Sequence, residues 1–188
     1  MKLIEIAAIR TGLVFSRKMA SPEASNYKYQ MLSLKNVTDD GHILLDGIEE
    51  YYATEALKRE YFSHDGDVLL RLSAPYSVVL ITKREADLLV PAHFAIIRAK
   101  KELNPCYLHW WLTKNQKRFY QMASGGTMMG TISSGYIADM SLDPPPIELQ
   151  RQIAGILELS NKEQQLLSVL SEKKKQLIDA TLTKIISE

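Results

Sequence analysis

Hydrophobic and polar positions follow two different patterns along the chain, and the pattern changes at three consecutive prolines. Up to Asp143 the apolar residues form short runs between turn residues, which is typical of strands joined by tight turns. Beyond Pro144–Pro146 they recur every three or four positions, which predicts a helix. We therefore expect an α+β fold, with a globular domain of mixed strands and helices in residues 1–143 and one long helix in residues 144–188.

Within the first part, the β pattern is clearest in three segments. Tyr29–Val37 is rich in residues that favour strands and is followed by a turn signal. Gly66–Thr82 predicts two strands around a turn at Ser73–Ser77, and Ala92–Lys100 predicts one more strand.

Two further segments of this part predict helices. Thr54–Phe62 is a short candidate with Thr54 as its N-cap. A longer helix begins at Asn104-Pro105, because an N-cap residue followed by proline is a strong start signal. Its apolar residues recur at helical spacing and should face a sheet: Leu108, Trp111, Leu112, Phe119 and Met122. The alternative is that its basic side, with Lys114, Lys117 and Arg118, faces DNA.

The C-terminal helix carries an apolar stripe that its own domain is too small to cover. A helix of about 40 residues is roughly 60 Å long, whereas a domain of about 140 residues has a radius of gyration of only about 14 Å. An exposed stripe needs another helix, most simply from a second copy of the chain in an antiparallel coiled coil. The alternative is a helix folded back over the domain. The expected dimer contacts are Ile156, Leu167, Leu170, Leu177, Leu182 and Ile185.

The charges are concentrated in the middle of the sequence. Residues 71–118 carry 9 basic and 3 acidic side chains, although the net charge of the chain is only +1. A local excess of lysine and arginine is what contact with nucleic-acid phosphates requires. The alternative is an ordinary solvated surface.

One short motif raises the question of DNA chemistry. Asp143–Pro146 is close to the Asp-Pro-Pro-aromatic signature of enzymes that methylate amino groups of DNA bases. Pro146 stands where the aromatic residue would stack on an extruded base, and no Gly-x-Gly turn joins a strand to a helix. We interpret the prolines as a rigid exit from the globular domain.

Other catalytic or cofactor chemistry has little support in the sequence. The four histidines show no metal-ligand spacing, and no phosphate loop or nucleophile–base set is evident, so we expect neither a metal nor a cofactor. A small DNA-modifying or DNA-cleaving enzyme with scattered metal-binding acids remains the alternative. The single cysteine and the absence of a signal peptide or membrane span favour the cytoplasm.

The order of the segments resembles a known family. Pro145–Leu157 looks like the Pro-Pro-x-x-x-Gln-x-x-Ile hinge that begins the conserved helix in DNA-specificity subunits of type I restriction-modification enzymes. Gly125–Ser133 is similar to the family's loop before the last strand of the domain, and Lys2–Gly12 resembles the usual start of a target-recognition domain. The resemblance covers essentially the whole chain.

What the resemblance implies is recognition without catalysis. Such subunits have no catalytic activity and direct separate methylation and restriction subunits to a DNA target. Members carry two recognition domains and two long helices, and this sequence has one of each. The likeness therefore implies a half-size subunit that pairs with a second copy and reads a bipartite target. A coiled-coil adaptor that never touches DNA is a further alternative, which the basic middle segment disfavours.

Two loops are the expected sites of base contact. A strand turn and a glycine-rich loop can approach a DNA groove closely, and an arginine can pair bidentately with guanine. Tyr76 has the alternative of simple core packing. The expected base contacts are Arg71, Ser73 and Tyr76 in the turn and Ser124, Gly126, Thr127 and Met128 in the loop, and the expected phosphate contacts are Arg17, Lys18 and Lys83.

Overall fold

A computed structural model describes residues 1–15, 18–124 and 130–187. Its main sheet consists of β1 (Ala7–Thr11), β4 (Asp67–Arg71), β5 (Val78–Leu80) and β6 (Phe94–Ala99), paired antiparallel in the order β1-β6-β4-β5. A second sheet pairs β2 (Tyr27–Met31) with β3 (Glu49–Ala53). The helices are α1 (Leu3–Ile6), α2 (Pro105–Lys114), α3 (Gln116–Ser124), α4 (Ser134–Asp139) and α5 (Ile147–Ser187).

Both faces of the main sheet are buried. On one face Leu69 and Ile96 pack with residues of the connecting segments, among them Leu32. Successive strand residues alternate between faces, and on the other face α2 packs against the strands β4, β5 and β6. Leu108 and Leu112 of α2 are fully buried. The sheet is therefore a rigid platform that fixes the positions of the turns at its two ends.

The chain divides into two compact units, Met1–Gln150 and Arg151–Glu188. The first contains both sheets, α1 to α4 and the first turn of α5. The second is the rest of α5, a helix of 41 residues and thus about 60 Å long. The mixed strand-and-helix domain followed by a long C-terminal helix is confirmed.

Most elements of the domain follow the sequence pattern. The hairpin β4–β5 and the strand β6 lie where the pattern predicts them. Asn104 caps α2 as expected, since its side-chain oxygen accepts hydrogen bonds from the backbone N–H groups of Cys106 and Tyr107.

Three local predictions are wrong. Tyr29–Val37 is a strand only as far as Met31 and then forms a 3₁₀ turn, Leu34–Asn36, where the Asn36 side chain accepts the Ser33 N–H.

Thr54–Phe62 contains only a short 3₁₀ turn, Arg59–Tyr61, and no α-helix. Long-range contacts override its local preference, because Tyr29 accepts the Leu57 N–H and Phe62 is buried in a core with Tyr51 and Leu89. Met122, expected to face the core, is half exposed.

The hinge glutamine is a buried polar side chain whose amide forms hydrogen bonds at both ends. Gln150 is 1% exposed. Its Oε1 accepts the backbone N–H of Asn104 at 2.8 Å, and its Nε2 donates to the carbonyl oxygens of Glu102 at 3.0 Å and Pro145 at 2.8 Å. One acceptor and two donor hydrogens match the two ends of an amide. Gln150 therefore ties the start of α5 to the segment that leads into α2.

We expect Gln150→Glu to destabilise the domain strongly. A carboxylate keeps the bond to Asn104 but turns a bare oxygen toward two carbonyl oxygens, and each buried group left unsatisfied costs about 1–3 kcal/mol. The free energy of unfolding in urea measures this loss. Both tryptophans, Trp110 and Trp111, lie in α2, so their fluorescence reports on this unit.

Gln152→Glu is the matched control, because Gln152 is exposed one half-turn further along the same helix. It should unfold like the unmodified protein. The free energy of unfolding lost in Gln150→Glu should be smaller at about pH 5 than at about pH 8, since a protonated carboxyl donates one hydrogen bond. Equal stability of the two variants would contradict the role given to Gln150.

Candidate DNA interface

The turn between β4 and β5 closes tightly at one end of the main sheet. The Tyr76 N–H donates to the Ser73 carbonyl at 2.9 Å, and the Ala74–Pro75 peptide bond is cis. Arg71 ends β4, and its backbone N–H donates to the Ser77 carbonyl at 2.9 Å. Its half-buried side chain places Nε 3.5 Å from Ser73 Oγ. Arg71 and Ser73 therefore share one small polar surface.

The helix α3 holds this turn from the side. Gln116 Nε2 donates to the Pro75 carbonyl at 2.8 Å, and the Tyr120 hydroxyl donates to the same oxygen at 3.0 Å. The rings of Tyr76 and Tyr120 meet edge to face, with their centroids 4.8 Å apart. Phe119 is fully buried. The turn and α3 therefore form one packed unit.

The segment after the glycine-rich loop returns to the same place. Ser73 pairs with Thr131 in a β-bridge, and the Ile132 N–H donates to the Leu72 carbonyl at 2.8 Å. The Tyr76 hydroxyl donates to the Gly130 carbonyl. The structure thus brings the predicted turn together with the segment that follows the predicted loop, although more than fifty positions separate them in the sequence. Gly126, Thr127 and Met128 lie outside the described residues.

Tyr76 faces the interior. Its side chain is 1% exposed, and burial raises the pKa of its phenol. Its backbone lies in the left-handed region, with φ at 53°, which is uncommon for residues other than glycine. These surroundings support the core-packing alternative. In this conformation the ring anchors the turn and Gly130, and base contact by Tyr76 is an untested prediction.

The other predicted contacts are spread over the domain. Ser124 ends α3 with an exposed side chain, and its Oγ donates to the Tyr120 carbonyl at 2.8 Å. Lys18 pairs with Glu55 at 2.7 Å, and this hydrogen bond raises the pKa of the lysine. Lys83 is exposed beyond the far end of β5, at the opposite end of the hairpin from Ser73. Arg17 lies outside the described residues.

Lys83 therefore lies apart from the turn, at the other end of the hairpin. The turn and α3, which ends at Ser124, pack against each other. Sequence reasoning missed Gln116 and Tyr120, which position the turn. Neither residue carries a local signal for this, because their partner Pro75 is about forty positions away.

The described residues provide neither a metal site nor a membrane-spanning helix. Among the described residues, no group of three or more histidine, cysteine, aspartate or glutamate side chains is placed to hold a metal ion. Within the same residues, no helix has the length and apolar character needed to cross a bilayer.

Comparison with known proteins bears on this arrangement. The family model for the type I restriction modification DNA specificity domain matches residues 1–177. The chain belongs to this family. The resemblance to this family that the sequence predicted is therefore confirmed at the level of the family. A comparison with curated proteins found no match.

Solved structures show the same fold for this specificity domain. One is a chain from a structure on complex assembly and conformational transition of the type I R-M system, with a TM-score of 0.61 and 18% identity, matching 87% of this chain and 38% of that one. Another is the HsdS subunit from Thermoanaerobacter tengcongensis, with a TM-score of 0.59 and 18% identity, matching 87% of this chain and 37% of that one. The chain thus spans less than two fifths of these structures.

We expect Arg71→Ala to relax the choice of DNA target. A bidentate arginine–guanine contact contributes about 1–3 kcal/mol of discrimination, so the variant should bind a target duplex less tightly while its affinity for random duplex changes little. Competition binding with both duplexes measures the ratio.

Lys83→Ala is the control, because this exposed lysine is the predicted phosphate contact at the opposite end of the hairpin. It should lower the affinity for both duplexes to the same degree. If Arg71→Ala also lowers both affinities equally, Arg71 contacts phosphate only and does not read sequence.

Proposed function

We propose that this chain is the sequence-specific DNA-recognition subunit of a type I restriction-modification system. It binds double-stranded DNA in the cytoplasm and directs separate methylation and restriction subunits to their target. The observation that carries the proposal is the match of the specificity-domain family to residues 1–177, nearly the whole chain. The geometry supports it, since a tight turn with Arg71 and Ser73 is locked to a second loop segment at one end of the sheet.

Recognition by this chain requires no cofactor of its own. Base edges in the major groove are read by hydrogen bonds from side chains held in fixed positions. Arg71 supplies donors, and Ser73 supplies a hydroxyl that both donates and accepts. The packing of α3 against Pro75 limits the movement of both residues, which lowers the entropy lost on binding.

The exposed apolar stripe of α5 supports pairing with a second copy of the chain. The stripe is exposed along the single chain: Ile156 67%, Leu167 57%, Leu170 49%, Leu177 67%, Leu182 53% and Ile185 64%. A contiguous apolar surface of this extent marks an interaction site. An identical helix packed antiparallel covers the stripe on both partners at once, because a two-fold axis gives each the same surface.

We expect purified protein at micromolar concentration to be a dimer by light scattering. The double variant Leu167→Lys, Leu170→Lys should be a monomer, because it introduces charges into an apolar seam. Its tryptophan fluorescence should remain that of the unmodified protein, since Trp110 and Trp111 lie in the other unit.

The matched control is Gln165→Lys, Ser168→Lys. It adds the same charge at the same spacing on the opposite side of the helix, and it should remain a dimer. A monomeric unmodified protein, or equal dissociation of both double variants, would defeat the proposed interface.

Pairing of identical chains predicts the form of the target. Two recognition domains related by a two-fold axis read the same half-site on opposite strands, so the target should be an interrupted palindrome. A helix of roughly 60 Å and a rise of about 3.4 Å per base pair limit the distance between half-site centres to about 18 base pairs.

Selection from random DNA, or mapping of methylated bases after expression with a methylation subunit, identifies the target. Inverted identical halves at one fixed spacing are the expected result. Unrelated halves would mean that a different chain supplies the second recognition domain, and an uninterrupted site would contradict the spacing argument.

A further inference from the structure

The helix pair α2–α3 has an exposed cationic side. Asn115 alone separates the two helices, and its N–H donates to the Trp111 and Leu112 carbonyls at 3.1 Å, so the helical path is nearly continuous. Lys114, Lys117 and Arg118 are exposed at the spacing of one helix face. This face lies opposite Leu108, Leu112 and Phe119, which are fully buried.

These three charges have no neutralising partner among residues 1–15, 18–124 and 130–187. No acidic residue occurs between positions 103 and 138. Among the described residues, none of the three side chains forms an ion pair or a hydrogen bond. Single exposed cations such as Lys35 and Lys58 likewise form no ion pair with another described residue. Five other surface cations of the domain are paired with carboxylates at 2.6–2.9 Å: Lys2 with Asp139, Arg10 with Glu60, Lys18 with Glu55, Lys28 with Glu50 and Arg59 with Asp87.

The cationic face is coupled to the candidate base-reading turn. The same helix α3 that carries Lys117 and Arg118 donates two side-chain hydrogen bonds to Pro75, at 2.8 and 3.0 Å. The hairpin is also free of acidic residues, from position 68 to position 84. An anion that lies along α3 therefore meets no carboxylate on the turn or on the helix pair.

We propose, building on the DNA-recognition function above, that Lys114, Lys117 and Arg118 bind backbone phosphates of the DNA next to the bases read by the Arg71 turn. The residues span about 6 Å along the helix, which is comparable with the spacing of neighbouring phosphates on one strand. Phosphate contacts fix the register and orientation of a protein on the duplex and contribute affinity without sequence preference. The face therefore sets affinity, and Arg71 with Ser73 sets the choice of target.

The test is the salt dependence of binding to a random-sequence duplex, which requires no knowledge of the target. The variant Lys114→Gln, Lys117→Gln, Arg118→Gln should lower the slope of log affinity against log salt by about 2.7, since each phosphate contact contributes about 0.9. A fourfold increase in salt concentration should then lower the DNA affinity of the unmodified protein about 40-fold more than that of the variant. Light scattering and tryptophan fluorescence should be unchanged, because the three side chains are exposed and form no ion pair or hydrogen bond with other described residues.

Two control variants make the result specific. Lys35→Gln, Lys58→Gln, Lys162→Gln removes the same charge from exposed positions that belong neither to the turn nor to α2–α3, and its slope should match that of the unmodified protein. Lys114→Arg, Lys117→Arg, Arg118→Lys keeps the charge and should keep the slope.

The outcomes separate this inference from the function on which it rests. If the unmodified protein binds duplex DNA and the first variant keeps its full slope, α2–α3 does not contact phosphates, although the DNA-recognition function stands. An equal loss in the Lys35, Lys58, Lys162 variant would mean a general charge effect and would overturn the inference in the same way. If the unmodified protein binds no duplex DNA, the proposed function and this inference both fail.

Discussion

The carbonyl oxygen of Pro75 is the point on which the candidate interface depends. It accepts hydrogen bonds from Gln116 and Tyr120, one turn apart on α3. The turn is also held by its two strands, of which β5 has three residues, and by the segment at Gly130 and Thr131. The two side-chain bonds add a support from α3. In the proposed DNA complex, the face of α3 that carries cations and the turn that carries Arg71 therefore meet the duplex as one body.

Two buried polar side chains form a second constraint. Tyr76 and Gln150 are each 1% exposed, and the polar group of each forms a hydrogen bond with a backbone atom far along the chain. Burying a polar group is unfavourable unless its hydrogen bonds are made, so each tether specifies one arrangement. Tyr76 fixes the return of the chain at Gly130, and Gln150 fixes the start of α5. Side-chain-to-backbone hydrogen bonds thereby define both the path of the chain at Gly130 and the start of α5.

The parts that the sequence predicted well are those set by local chemistry. The cap of α2 at Asn104-Pro105 and the helical period of α5 depend on residues within a few positions of each other. The parts that it missed depend on distant partners. Lys18 meets Glu55, and Thr54–Phe62 gives up its helical preference to contacts with Tyr29 and a buried core. Tyr76 could serve a surface or a core equally well by residue type, because tyrosine has an apolar ring and a polar end.

The distribution of ion pairs suggests why one face of the domain is left charged. An exposed ion pair contributes only about 0–1 kcal/mol to stability, so the paired cations elsewhere on the surface do little to hold the fold. Their pairing does remove positive potential from those surfaces. The three cations on α2–α3 are unpaired and lie on one helix face with no acidic residue from position 103 to position 138, and a local field of one sign steers the approach of a polyanion. The same side chains that add affinity would therefore also orient the encounter, so that the Arg71 turn arrives facing the duplex before any base is read.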